Sequence, residues 1–406
     1  MTGNHEVNRG RRKHEQDGRG PDAGRIVPPT AEIHAIGRRL GHSHGLFVSR
    51  REVAHVTRQD ILEQAETAAS GEASASSRSS RHRRSDVVAS QAPHNPGTPL
   101  DLDWIADVRV NRSAVERRAA TLTTRRSVKK DWQAAWLLRA VELMDLTTLA
   151  GDDTPGRVRR LCAKARQPVR QDILDALGVG DRGLTTAAVC TWHEFVPDAV
   201  EALQGSGIPV AAVSAGFPAG LGPLPQRIAE IHASVDAGAE EIDIVISRRH
   251  VLTGDWQALY DEVKAFKQAC GQAHLKAIIA AGELGSLRNV ARASLVCMMA
   301  GADFIKTSTG KEAVNATLPI GLVMVRAMRT YMERTGFTVG FKPAGGIRQA
   351  KDALAWMILM KEELGADWLQ PGLFRLGASG LLTDIERQLE HHVTGRYSAA
   401  HRHPLG

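Results

Sequence analysis

Beyond Glu142 the chain alternates between two textures. Short, almost unbroken apolar runs occur at Glu142 to Thr147, Thr186 to Thr191, Val210 to Gly216, Glu241 to Ile246, Leu275 to Ala280, Phe304 to Thr307, Val339 to Lys342 and Leu373 to Ala378. Longer stretches between them repeat apolar residues every three or four positions, as in Pro225 to Ala237, Trp256 to Ala269, Leu287 to Ala300, Leu318 to Arg334 and Gln349 to Leu364. The first texture predicts strands buried on both faces and the second amphipathic helices. Strands of that kind pair in parallel through right-handed crossovers, and eight such units over roughly 250 residues predict an α/β fold, a closed (β/α)8 TIM barrel over 141–395. An open doubly wound sheet is the alternative.

Upstream, 101–140 reads as a helical lead-in, with helices at Ser113 to Leu122 and Val128 to Ala140; Trp132 and Trp136, four residues apart, are expected to be packing anchors. Residues 1–100 differ in composition from everything that follows. Ser/Gly/Arg/Pro-rich tracts such as Ser70 to Arg84 and Pro93 to Pro99 bury too little apolar surface to offset their ordering entropy, so a basic, mostly disordered extension is expected. Inside it, Leu46 to Ala69 carries Val56, Ile61, Leu62 and Ala65 at helical spacing after Thr57, a short amphipathic segment on a tether. Residues 396–406 form a C-terminal tail.

Composition narrows the class. No apolar run in the 406 residues approaches the roughly 18 needed to cross a bilayer, and the polar first 25 residues lack the apolar core of a secretory signal. Cys162, Cys190, Cys270 and Cys297 are widely spaced with no C-x-x-C, which fits buried thiols in a reducing, cytosolic compartment. The net charge is +7, and the first hundred residues hold fifteen Lys/Arg against eleven Asp/Glu; with almost no aromatics among them, nucleic acid is not the expected partner.

The chemistry lies at the ends of the apolar runs. In such barrels the C-terminal ends of the strands carry the active site, and Asp145, Asp243, Lys276, Lys306 and Lys342 all fall there. Lys and Asp are almost never buried unless paired, so a structural ion pair is the plain alternative for each alone, strongest for Asp145 and weakest for Lys306 and Lys342. Two lysines facing each other among apolar neighbours have a further reading. An unperturbed lysine titrates near 10.4, so a mostly neutral amine at pH 7 needs a shift of more than ~3 units, about 4 to 5 kcal/mol, which burial and an adjacent cation can supply together. A neutral amine attacks a carbonyl to form a Schiff base, whose cationic nitrogen accepts the electrons of a breaking C–C bond. Gly345-Gly346-Ile347-Arg348 and Gly377-Ala378-Ser379-Gly380, after the last two strands, are small-residue loops where barrels bind phosphate.

Leu143-Met144-Asp145-Leu146-Thr147-Thr148-Leu149, Glu241-Ile242-Asp243-Ile244-Val245, Phe304 to Lys311 and Gly340 to Arg348 resemble the signatures of the deoxyribose-phosphate aldolases, over about Asn111 to Gly395. The resemblance implies a class I aldolase using neither metal nor other cofactor. It implies reversible cleavage of 2-deoxy-D-ribose 5-phosphate to D-glyceraldehyde 3-phosphate and acetaldehyde. In it Lys306 would form the Schiff base, Lys342 would favour its neutral form, and Asp243 would move protons through a water. Asp145, Lys276, Thr307 and Lys311 would line the substrate, and Gly310, Gly345, Gly346, Ser379 and Gly380 would hold the phosphate. Cys190 would sit near the pocket without an essential role. A homo-oligomer is implied, and packaging in a bacterial microcompartment, through docking of the amphipathic segment on a scaffold or shell, is a further expectation. Departures from the pattern are Gly380 where a second hydroxyl residue is common, Ala281 where a threonine is common, and no terminal tyrosine. A Schiff-base aldolase for another phosphosugar or keto acid, and a non-catalytic phosphosugar-binding barrel, remain open.

Overall fold

A computed structural model describes residues 93–125 and 127–404. In chain order its principal elements are α1 (Leu102–Asp107), α2 (Arg112–Arg125), α3 (Lys130–Glu142), β1 (Met144–Thr147), α4 (Pro155–Arg166), α5 (Gln171–Ala176), β2 (Ala188–Trp192), α6 (Val196–Leu203), β3 (Val210–Ser214), α7 (Leu224–Asp236), β4 (Glu241–Val245), α8 (Arg248–Thr253), α9 (Trp256–Cys270), β5 (His274–Ile278), α10 (Leu287–Met299), β6 (Phe304–Lys306), α11 (Leu318–Thr335), β7 (Gly340–Lys342), α12 (Ala350–Leu364), β8 (Leu376–Ala378) and α13 (Gly380–Thr394).

All eight strands are parallel, in the order β7-β6-β5-β4-β3-β2-β1-β8. Closure comes at β7 and β8, where Phe341 bridges Phe374 and Ala344 bridges Gly377. The Phe341 N–H donates to Leu373 O at 2.9 Å and the Arg375 N–H to Phe341 O at 3.0 Å, so the chain just before β8 continues the ladder. The eight expected strands are thus the eight observed, and the closed barrel prevails over the open sheet. Local signals place the helices between them. Thr154, Asp255, Ser286 and Thr317 accept hydrogen bonds from N–H groups in the first turns of α4, α9, α10 and α11, caps worth about 1 kcal/mol each.

Two expectations need correction. Residues 93–100, assigned to the extension on composition, lie on the barrel wall. Asn95 is buried, its Nδ2 donates to Met298 O at 2.8 Å and Ala302 O at 2.9 Å, and its N–H donates to Asp303 Oδ1 at 2.8 Å. Three prolines among residues 93–99 leave the segment less chain entropy to lose in an extended course, and one well-placed amide anchors it. Of the two tryptophans on α3, Trp136 packs against the core with Lys361 over its ring, whereas Trp132 is 49% exposed. The tail is held as well. His403 is buried, 2.7 Å from Glu390 and 3.4 Å from Glu386 on α13. All four cysteines are free and buried, and among the described residues no helix is long and apolar enough to cross a membrane. The amphipathic segment at 46–69, with the docking expected of it, lies outside the described residues.

Candidate active site

Parallel register brings the charged strand ends together. Lys306 on β6 pairs with Lys342 on β7, and Asp243 on β4 with Lys276 on β5. Side chains two apart on a strand share a face, so Glu241 and Asp243 both point into the barrel, as do Phe304 and Lys306. Asp243 is the hub. Its Oδ2 accepts from Lys306 at 2.8 Å and Lys342 at 2.7 Å, and its Oδ1 from Lys276 at 3.0 Å. The Lys342 ammonium also lies 2.6 Å from Asp145 Oδ2 on β1. Two glycines make room. A Cβ on Gly377 would approach Lys342 Cε to 3.1 Å and Ala344 Cβ to 2.8 Å, and one on Gly340 would collide with the Phe304 ring.

Beneath this layer, Lys276 also contacts Glu241, whose other oxygen takes Arg375 Nη2 at 2.7 Å. Arg375 Nη1 reaches Glu241 Oε2 at 3.2 Å and stands 3.7 Å from Asp145 Oδ2. All seven side chains are buried, Lys306 being 2% exposed and Lys342 fully covered.

Such burial favours neutral forms, and the partners reverse it. Desolvation would raise the Asp243 carboxyl, but Lys276, Lys306 and Lys342 hold it well below the usual carboxylate range. Glu241 is likewise brought down to about 2 by Arg375 and Lys276 against the effect of burial. Burial would lower Lys342, yet Asp145 and Asp243 keep its ammonium above the ordinary lysine value; Asp243 and Glu241 do the same for Lys276. The Cys190 thiol, buried beside the cluster, is pushed up to about 11 by desolvation and stays protonated. Oδ2 of Asp145 faces the Lys342 ammonium, while its buried Oδ1 has no hydrogen-bond partner among the described residues, so acceptor capacity is left over there.

The loops after β6, β7 and β8 meet beside this cluster. Gly345 and Gly346 have φ of +85° and +84°, and a Cβ on Gly345 would press on Asn315 at 2.7 Å, so glycine is required there. A Cβ on Gly310 would lie 3.9 Å from Gly345 Cα, which measures how closely the two loops approach. Ser379 and Gly380 open α13, whose first N–H groups have no partner within the helix.

Three side chains or loops expected around substrate are engaged otherwise. Thr307 Oγ1 accepts from Ala344 N at 3.0 Å and donates to Ala344 O at 3.3 Å, locking the end of β6 to that of β7. Lys311 Nζ donates to Leu149 O at 3.0 Å across the mouth. The N–H groups of Thr309 and Gly310 donate to the Glu312 carboxylate at 3.0 and 3.2 Å. A hydroxyl or glycine at a strand end serves a neighbouring loop as readily as a ligand, and sequence does not separate the two.

A sequence model of the DeoC/LacD family aldolases matches residues 139–383. The chain belongs to the DeoC/LacD aldolase family. It is 61% identical over 314 residues to human deoxyribose-phosphate aldolase, covering 77% of this chain and 99% of the human one, and 62% identical over 316 residues to the mouse protein, with the same coverage. A crystal structure from Toxoplasma gondii, of a chain provisionally given that name, superposes with a TM-score of 0.56 at 21% identity, covering 68% of this chain and 100% of the other; it bears on the fold alone.

In this aldolase-family barrel the structure brings Asp145, Asp243, Lys276, Lys306 and Lys342 into one cluster, as expected. Glu241 and Arg375 escaped the sequence reading. Both were visible as charges within the apolar runs, but Glu241 begins its run and Arg375 lies before the end of its own, where a search of strand ends does not look.

Proposed function

We propose that the chain is a deoxyribose-phosphate aldolase acting through a Schiff base on Lys306. The observation that carries this reading is one buried carboxylate, Asp243, shared by three lysines at the C-terminal mouth of the barrel. The 61% identity to the human enzyme of that name supports the choice of substrate. Neutral Lys306 adds to the C1 aldehyde of open-chain 2-deoxyribose 5-phosphate; a proton moves to the new hydroxyl, water leaves, and an iminium forms. Loss of the C3 hydroxyl proton then breaks the C2–C3 bond. Its electron pair flows to the iminium nitrogen to give an enamine, and C3 departs as the aldehyde carbon of glyceraldehyde 3-phosphate. Protonation at C2 and addition of water return Lys306 and release acetaldehyde, so the water lost first is regained.

Asp243, in contact with all three lysines, is placed to pass protons at the reacting nitrogen. The unfilled Oδ1 of Asp145 suits a substrate hydroxyl. Gly345 and Gly346, with the open end of α13 at Ser379 and Gly380, suit the phosphate, because backbone N–H groups and the helix dipole there favour an anion. Thr307 and Gly310 act through the loops they hold. Four free, buried thiols fit a reducing, cytosolic setting.

The purified chain is expected to release acetaldehyde from 2-deoxyribose 5-phosphate and to cleave ribose 5-phosphate, which carries a C2 hydroxyl, at least about tenfold more slowly. Equal or faster cleavage of the 2-hydroxylated sugar would assign a different aldolase. Binding of phosphosugar without cleavage of either would leave a binding barrel.

A further inference from the structure

One question about the cluster is why Lys306, among three buried lysines, should be the one to release its proton. We propose that Arg375 is a positioning residue that sets the charge of the site: it is the surplus cation that forces one lysine of the cluster to be neutral, and the contact pattern makes that lysine Lys306. The inference rests on the Schiff-base reading above.

Around Lys306 on β6 the barrel presents Asp145 from β1, the Cys190 thiol from β2, Glu241 and Asp243 from β4, Lys276 from β5, Lys342 from β7 and Arg375 just before β8. With the thiol protonated, the full set holds four cations (Lys276, Lys306, Lys342 and Arg375) against three carboxylates (Asp145, Glu241 and Asp243), all buried. An uncompensated charge in such a place is costly. A guanidinium does not release its proton in proteins, so relief must come from a lysine. Loss of one ammonium proton leaves three cations against three carboxylates.

The contacts decide which lysine yields. Lys342 lies on two carboxylates, Asp145 at 2.6 Å and Asp243 at 2.7 Å. Lys276 also lies on two, Glu241 and Asp243. Lys306 has Asp243 alone, at 2.8 Å, on the oxygen that Lys342 also holds. Arg375 creates this shortage. By taking Glu241 at 2.7 Å and leaning on Asp145 at 3.7 Å, it leaves the two oxygens of Asp243 to serve three lysines. Without it, Lys276 and Lys342 would be balanced by Glu241 and Asp145, and Asp243 would be free to keep the Lys306 ammonium.

The test is the pH dependence of kcat/KM for 2-deoxyribose 5-phosphate cleavage in Arg375→Met, Glu241→Gln and the double variant. Arg375→Met balances the charges with Lys306 protonated, so its acid limb is expected to move up by about one pH unit or more, a loss of about tenfold at pH values on the limb that is recovered at higher pH. Glu241→Gln enlarges the surplus, so its limb is expected to move down. The double variant restores a surplus of one and is expected to return the limb towards that of wild type. A merely structural pair would leave both single variants impaired at every pH, with no displacement of their limbs in opposite directions. Limbs that stay in place, or single variants that shift in the same direction, would overturn the proposal; should Arg375→Met not fold, the downward shift in Glu241→Gln carries the test. Borohydride trapping of wild type with acetaldehyde separates the two claims. No adduct on Lys306 removes the Schiff-base reading, whereas an adduct with unshifted limbs removes only the role of Arg375.

Discussion

Two buried aspartates, Asp243 in the barrel mouth and Asp303 at the start of β6, are each ringed by donors, and they differ in the donors' kind. Asp303 takes the backbone N–H of Leu275 at 2.7 Å and that of Asn95 at 2.8 Å, with a single ammonium, Lys267, at 2.5 Å. His94 stands 3.2 Å away and stacks on His274 with ring centroids 4.1 Å apart. One ammonium there shares the carboxylate with two backbone N–H groups. Asp243 takes the Nζ groups of three lysines and no backbone donor among its hydrogen bonds. A satisfied carboxylate with matched charge anchors structure, here the strap at residues 93–99. A carboxylate with more cations than it can balance keeps a proton ready to leave. Burial is common to both, so the excess of cations over carboxylates separates the chemical site from the structural one.

The largest effect that would sharpen this contrast is expected from Lys342→Leu. It removes the cation sharing Oδ2 with Lys306 and one of the four that create the surplus. Turnover at pH 7 is expected to fall on the order of 100-fold, with the acid limb of the pH–rate profile displaced to higher pH. An unchanged profile with normal activity would break the link between the two lysines. A smaller effect, of another kind, is expected at the structural aspartate. Asp303→Asn leaves Lys267 partly buried without its partner and should cost about 2–4 kcal/mol in urea unfolding, while kcat measured on the folded protein stays within about twofold. Asn95→Ala should show the same separation at about 1–2 kcal/mol, since it removes the amide that ties the strap to Met298 and Ala302. A large fall in kcat in either variant would mean that the two regions are coupled.

Much of this was legible in the sequence for a definite reason. Parallel strands covered on both faces read as unbroken apolar runs, and any charge at their ends is conspicuous; hence the eight strands and the five charged residues of the mouth. The missed features share a different physics. Arg375 and Glu241 neutralise each other across the barrel, and nothing in their separate neighbourhoods announces a partner 134 residues away. Asn95 binds residues more than 200 positions further on, so its segment carries only the composition of a linker. Thr307 and Gly310 were legible as residue types, but whether a strand-end hydroxyl or N–H meets a ligand or a neighbouring loop depends on where Ala344 and Glu312 come to lie.

The central claim, that one lysine of the three is the nucleophile, is tested most directly by incubating the protein with acetaldehyde and sodium borohydride and mapping the modified peptide by mass spectrometry. A reduced two-carbon adduct is expected on Lys306, with Lys276 and Lys342 unmodified. An adduct on Lys342 or Lys276, or none at all, would contradict it.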